Sequence, residues 1–132
     1  MARAIIKRAS DSDEHRPFVA HGGSDVLKLG ELTVGRAVFE PGWRWSQDVK
    51  PLVGTNDCEV VHTLCILSGK LHVKMRDGQE FDLGAGDVAF IPPGHDGWVV
   101  GNEPCQVVDF TGAEDYARAR AGRAEEARPS IQ

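Results

Sequence analysis

Short apolar runs separated by glycine- and proline-containing turns set the rhythm of this chain. Leu32 to Phe39 alternates well enough for a strand, and Pro41-Gly42 ends it as a turn. Glu59 to Leu67 is the most strand-like run, with Ser68-Gly69 as its turn. Alternation places Val60, His62, Leu64 and Ile66 on one face of it. Leu71 to Met75, Glu80 to Leu83, Val88 to Ile91, Gly97 to Val100 and Cys105 to Phe110 continue as a meander. Turn signals at Asp77-Gly78, Gly84-Ala85-Gly86, Pro92-Pro93-Gly94 and Gly101-Asn102 recur about every 8 to 12 residues, the spacing of a sandwich or barrel. Upstream, Ala4 to Arg8 reads as an edge strand and Asp11 to Pro17 as a polar connection. Phe18 to His21 and Val26 to Leu29 are brief apolar segments. Gln47 to Asp57, with Pro51 and Gly54, reads as an extended loop. Glu114 to Glu126 is rich in Ala, Arg and Glu and carries no β-branched residue, which predicts a short solvated helix running into a tail. The expected organisation is N-terminal strands and connection over 1–31, one all-β unit over 32–112, and a C-terminal helix and tail over 113–132.

Composition agrees with one soluble domain. The 132 residues contain 41% hydrophobic and 27% charged positions, with 15 glycines and 7 prolines; so much turn chemistry favours short strands over a helical bundle. The net charge of −5, without a basic cluster, argues against nucleic acid as a partner. No apolar run approaches the roughly 20 residues that span a bilayer, so no membrane association is expected. Three cysteines, Cys58, Cys65 and Cys105, match no disulfide framework, and a reducing, cytoplasmic setting is the expectation.

Two segments carry the candidate chemistry. His62-Thr-Leu-Cys-Ile-Leu-Ser-Gly69 opens a β-run with a histidine. Gly86-Asp-Val-Ala-Phe-Ile-Pro-Pro-Gly-His95 delivers a second histidine through a Pro-Pro-Gly corner. Together they resemble the two half-motifs of a cupin. The resemblance implies a cupin-type double-stranded β-helix (jelly-roll) barrel, here with a short C-terminal helix, whose mouth holds a metal or small ligand. The second motif begins as the family's does, from Gly86 through Pro92, Pro93 and Gly94. The family's histidine position then falls on Gly97, and His95 stands two residues early. In the first motif His62 occupies the usual glutamate position, six residues before Gly69. Reading backward without a gap puts Cys58 and Asn56 at the two histidine positions. Reading forward from Gly42 puts Asp48 and Lys50 there instead. The first register is preferred for the metal question, because Cys58 and His62 lie four apart and share a face if the strand already includes Cys58.

Imidazole and thiolate suit Zn²⁺, Fe²⁺ or Cu, and Cys58, His62 and His95, with Asp48 or water, would make a tetrahedral set. A divalent metal (Zn, Fe, Mn or Ni) is therefore the possible cofactor. Each residue also has a plainer role. His62 reads equally as a hydrogen-bonded core histidine, and His95 as the cap of its corner. Cys58 reads as a small buried apolar residue, and Asp48 as a turn-forming carboxylate. Trp43, Trp45 and Trp98 are pocket candidates that otherwise close the core or an interface. Asp96 is placed to orient His95 only if the chain turns there.

The wider pattern Pro-Gly-Trp-Arg-Trp-Ser, Pro-Pro-Gly-His-Asp and Gly-Asn-Glu-Pro is similar to small bacterial single-domain cupins without an assigned reaction, and it supplies no substrate. Three functions stay open: a small-molecule-binding cupin with or without metal; a metal-dependent dioxygenase, isomerase or lyase on a small polar molecule; and a scaffold whose barrel only dimerises. A homodimer is expected, through edge strands such as Ala4 to Arg8. Fold alone does not choose among these.

Overall fold

Side chains alternating between a shared interior and solvent build nine strands in a computed structural model that describes residues 3–119. They are β1 (Glu14–Pro17), β2 (Gly22–Leu29), β3 (Leu32–Phe39), β4 (His62–Ser68), β5 (Lys70–Met75), β6 (Glu80–Gly84), β7 (Val88–Ile91), β8 (His95–Val99) and β9 (Cys105–Asp109). A six-stranded sheet has the order β1-β2-β3-β9-β4-β7, and a three-stranded sheet has the order β6-β5-β8. All pairings are antiparallel. The expected meander is replaced by a crossed topology, because β9 returns to lie between β3 and β4.

The sheets share one core. Phe39, Leu64, Ile66, Ile91 and Val107 from the larger sheet pack with Leu71, Val73, Met75 and Leu83 from the smaller. Four aromatic rings close one end of it. Phe39 lies 4.3 Å from Trp43 and 5.4 Å from Phe18 by ring centroid, with Tyr116 edge-on to both phenylalanines. The β4–β5 turn depends on Gly69, whose φ of +77° is left-handed and where a Cβ would stand 2.4 Å from the Pro104 carbonyl oxygen.

Several local expectations change. Residues 3–8 form no strand, and the first strand falls in the segment read as a polar connection. There Arg16 is buried, and its guanidinium donates to the carbonyls of Ala113 and Tyr116 at 3.0 and 2.8 Å. A charged residue thus occupies an inward position that hydropathy alone assigns to solvent. The loop expected from Gln47 to Asp57 instead holds the end of one short helix, α1 (Trp45–Asp48), and all of a second, α2 (Lys50–Val53), which Gly54 ends at φ +79°. The predicted C-terminal helix is not seen in the described residues. Residues 113–117 form a turn in which Ala113, Tyr116 and Ala117 are buried against the core. The remainder of that predicted helix, from 120 on, lies outside the described residues. No helix among them is long and apolar enough to cross a membrane.

Candidate metal centre and cavity

Three donors from separate parts of the chain meet at one end of the core. Cys58, His62 and His95 are all buried, and one ligand atom from each lies within 4.8 Å of the others. Cys58 precedes β4 instead of lying in it. A bridge to the start of β8 brings it in: its N–H donates to the His95 carbonyl at 2.7 Å, and its carbonyl accepts from Gly94 N–H at 2.7 Å. The Pro-Pro-Gly corner therefore positions the thiol as well as the imidazole. The rings of His62 and His95 lie 5.4 Å apart by centroid, and both line the same cavity.

Hydrogen bonds fix which ring nitrogens are available. His62 Nδ1 meets Asp109 Oδ2 at 2.5 Å, and His95 Nδ1 meets the Pro92 carbonyl at 2.9 Å. A carboxylate and a carbonyl can only accept here, so each Nδ1 carries the proton and each Nε2 keeps its lone pair. A carboxylate or carbonyl behind the imidazole is the usual support for a metal-bound histidine. Asp109 is itself anchored, since its Oδ1 accepts from the N–H groups of Thr111 and Gly112 at 3.1 Å each. Burial alone would raise the Asp109 carboxyl, but the hydrogen bond from His62, with the backbone donors of Gly112 and Thr111, holds it below its ordinary value. Burial, the largest cause, pushes His95 down to about 4. Burial likewise pushes the Cys58 thiol up to about 12. An isolated nucleophilic thiolate is therefore disfavoured, and a neighbouring cation is what would stabilise that charge.

The spacing fits a tetrahedral cation. With Zn–S near 2.3 Å and Zn–N near 2.05 Å, a tetrahedral edge between sulfur and nitrogen is about 3.6 Å. Cys58 Sγ lies 3.7 Å from His62 Nε2. Tyr116, which the sequence reading did not single out, stacks edge-on to His62 at 5.2 Å. Burial, its largest cause, raises the Tyr116 phenol well above its ordinary value and keeps it neutral.

The other candidates fall elsewhere. Asp48 is buried, but its Oδ2 is engaged by His21 Nδ1 and the Arg44 N–H, both at 3.1 Å, so it ties α1 to the preceding loop. It is absent from the donor cluster. Trp43 and Trp45 line the cavity, whereas Trp98 does not. Register explains the difference. Arg44 bridges to Trp98, so both face outward, and the guanidinium sits 4.0 Å above the Trp98 ring. Trp43 and Trp45, on either side of Arg44, turn inward. Asp96 does not orient His95; its Oδ1 accepts from Ser46 and Gly97 N–H instead. Of the residues missed, Asp109 had one usable signal, its inward position at the end of a strand. Tyr116 had none beyond being the single tyrosine.

Comparison with known proteins agrees with this architecture. The family model of the cupin domain matches residues 59–111, a stretch running from beside Cys58 through Asp109. The fold is that of the cupins, as the half-motifs suggested. A protein with a double-stranded β-helix domain from Klebsiella pneumoniae subsp. pneumoniae superposes with a TM-score of 0.55 at 19% identity, over 86% of this chain and 94% of its own. A protein of unknown function (DUF1255) from Acidithiobacillus ferrooxidans gives 0.58 at 18%, over 84% and 99%. An oxalate decarboxylase from Lactobacillus farciminis, in a formate complex, gives 0.59 at 15%, over 88% of this chain and 36% of that one. At such identities the likeness is one of fold alone. No curated protein matches the sequence.

Proposed function

We propose that this protein is a small-molecule-binding cupin built around a divalent metal, held by Cys58 Sγ, His62 Nε2 and His95 Nε2. The observation that carries this reading is the convergence of those three buried donors, each within 4.8 Å of the others, beside a cavity that His62 and His95 line. When bound, the metal would supply Lewis acidity. Asp109 and the Pro92 carbonyl hold the imidazoles in the coordinating tautomer. Tyr116, Trp43 and Trp45 form the aromatic part of the cavity wall. Thiolate with imidazole favours zinc or iron over magnesium or calcium.

A reaction at the centre is the second reading, favoured by the donor count, since three protein ligands are the number found in catalytic zinc sites and four in structural ones. A second copy of the chain is the proposed partner, through β7. That strand ends the larger sheet and exposes Val88 at 72% and Phe90 at 67%, an apolar edge without a charge in its interior.

Metal analysis tests the main reading. Protein purified without chelator, or refolded with zinc or iron(II), is expected to retain close to one metal per chain. Cys58→Ser and His62→Ala are each expected to lose it. An intact protein that keeps no metal after either treatment ends the proposal.

A further inference from the structure

The cavity beside the three donors has walls that restrict what it accepts. Phe39, Trp45, Leu64, Leu71, Val73 and Val107 supply hydrocarbon; Ser24, Tyr116 and Trp43, whose indole N–H is buried without a hydrogen-bond partner, supply uncharged polar groups, and no lysine or arginine is among its described lining residues. The lining carboxylate is spent, because both Asp109 oxygens already accept hydrogen bonds. His95 Nδ1–H is likewise given to Pro92. The charges of the filled centre also cancel. A divalent cation carries +2, the Cys58 thiolate and the Asp109 carboxylate carry −1 each, and metal-bound imidazoles are neutral.

We infer that the ligand of this site is an uncharged, mostly hydrocarbon molecule offering one oxygen or nitrogen donor, of the alcohol, aldehyde or amide class, and not a carboxylate anion. The inference rests on the metal reading above and specifies what that centre takes. A carboxylate would give up its hydration for a wall without cations and a centre without net charge, and burying an uncompensated charge is far more costly than burying one amide or hydroxyl. A neutral ligand would turn its donor oxygen toward the centre, leave any second polar atom to the uncharged polar groups of the lining, and lay its hydrocarbon against the wall. Size agrees. Water-molecule centres fit over about 50 Å³ of the cavity, which is room for about four waters or roughly five to seven non-hydrogen atoms.

Isobutyramide and isobutyrate, equal in shape and differing in charge, separate the two ligand classes. Both are titrated into zinc-loaded protein by calorimetry, and into zinc-loaded and zinc-free protein while following the methyl resonances of Leu64, Val73 and Val107. Isobutyramide is expected to bind at least about tenfold more tightly, given the cost of burying the anion, and to shift those methyls. Isobutyrate binding equally well or better in the zinc-loaded protein overturns the inference. The zinc content of the same samples reports on the metal reading by itself. If zinc is not retained, that reading fails, and the zinc-free titration still decides: methyl shifts with the amide alone support the assigned class, and shifts with isobutyrate, or with neither compound, refute it.

Discussion

Replacing Asp109 by Asn removes one charge and changes no volume, yet it should disable the centre. The carboxylate performs two tasks at once: Oδ2 holds His62 Nδ1 at 2.5 Å, and Oδ1 accepts from Thr111 and Gly112 N–H. An amide cannot do both. If its oxygen serves the backbone donors, its NH₂ faces His62 Nδ1, which must then accept, and the ring proton moves to Nε2. The lone pair needed at Cys58 and His95 is lost. If the amide flips, its NH₂ confronts two backbone N–H groups, leaving buried donors unmatched.

Losing the support behind a metal-bound histidine lowers affinity by roughly 10- to 100-fold, or about 1.4–2.8 kcal/mol. The metal-free fold should lose roughly 1.5–3 kcal/mol, the range for hydrogen bonds to a charged group. Zinc affinity is read with a competing chromophoric chelator at pH 7.5, and metal-free stability by urea denaturation. A variant that folds and binds zinc within about twofold of wild type refutes the tautomer argument, because about tenfold is the least that loss of such support should cost. The pH dependence gives a second check. The folded-state value of Asp109 is depressed, so its contribution is complete above the unfolded value near 3.9 and is lost as pH falls through the lower folded value. The stability gap between wild type and Asp109→Asn should therefore close in acid and stay constant near neutrality.

Arg16→Met keeps the hydrocarbon stem but leaves the Ala113 and Tyr116 carbonyls without their donor, at roughly 1–3 kcal/mol each; denaturation of metal-free protein should show the loss, and an unchanged midpoint would contradict the clamp. His72 sits between Glu80 and Asp82 at 2.8 and 2.7 Å, and hydrogen bonds from Glu80 and then Asp82 raise its value. His72→Gln should thus be less stable than wild type below the unfolded value near 6.5, with the gap closing as pH rises through the higher folded value; thermal melts across that range check the sign, and a gap that widens with pH refutes it. Phe90→Lys puts a charge on the β7 edge and should convert a dimer to monomer in sedimentation velocity; a wild-type protein that stays monomeric at high concentration removes the second copy as a partner.

The strands from Leu32 to Phe110 were readable because alternation and turn chemistry are local properties, and the Pro-Pro-Gly corner marked His95 for the same reason. What was hidden depends on pairing between distant segments. Cys58 reaches His62 through a backbone bridge to His95 and not through strand alternation, so the expected shared face gave the right neighbours by a different route. Asp48 looked like a ligand in one register because spacing along the chain does not reveal that His21 and Arg44 already occupy it. Trp98 resembles Trp43 and Trp45 in composition, and only the Arg44 bridge decides that it faces out. Tyr116 lies in a segment whose Ala, Arg and Glu content favours helix, yet Arg16, about 100 residues away in the chain, gathers its carbonyls into a turn. Tertiary bonds to a buried guanidinium outweigh a weak local propensity.

The centre and the fold are coupled, and that coupling makes the variants separable. His62 belongs to the six-stranded sheet and His95 to the three-stranded one, while Cys58 lies on the segment that bridges to β8. A cation held by all three therefore ties the two sheets together at one end of the core. By linkage, free metal at about 1,000 times its dissociation constant adds about 4.1 kcal/mol of stability. Against a total of about 5–15 kcal/mol for a typical domain, that is a large share. Damage confined to the donors should then shrink the stabilisation by zinc while barely changing the metal-free midpoint, as expected for Cys58→Ser. Damage confined to the C-terminal clamp, as in Arg16→Met, should lower both forms by similar amounts. Asp109→Asn should do both, because one carboxylate supports the imidazole and the 111–112 backbone together. If its two effects separate, with zinc stabilisation intact and only the metal-free protein weakened, Asp109 serves the fold and not the centre.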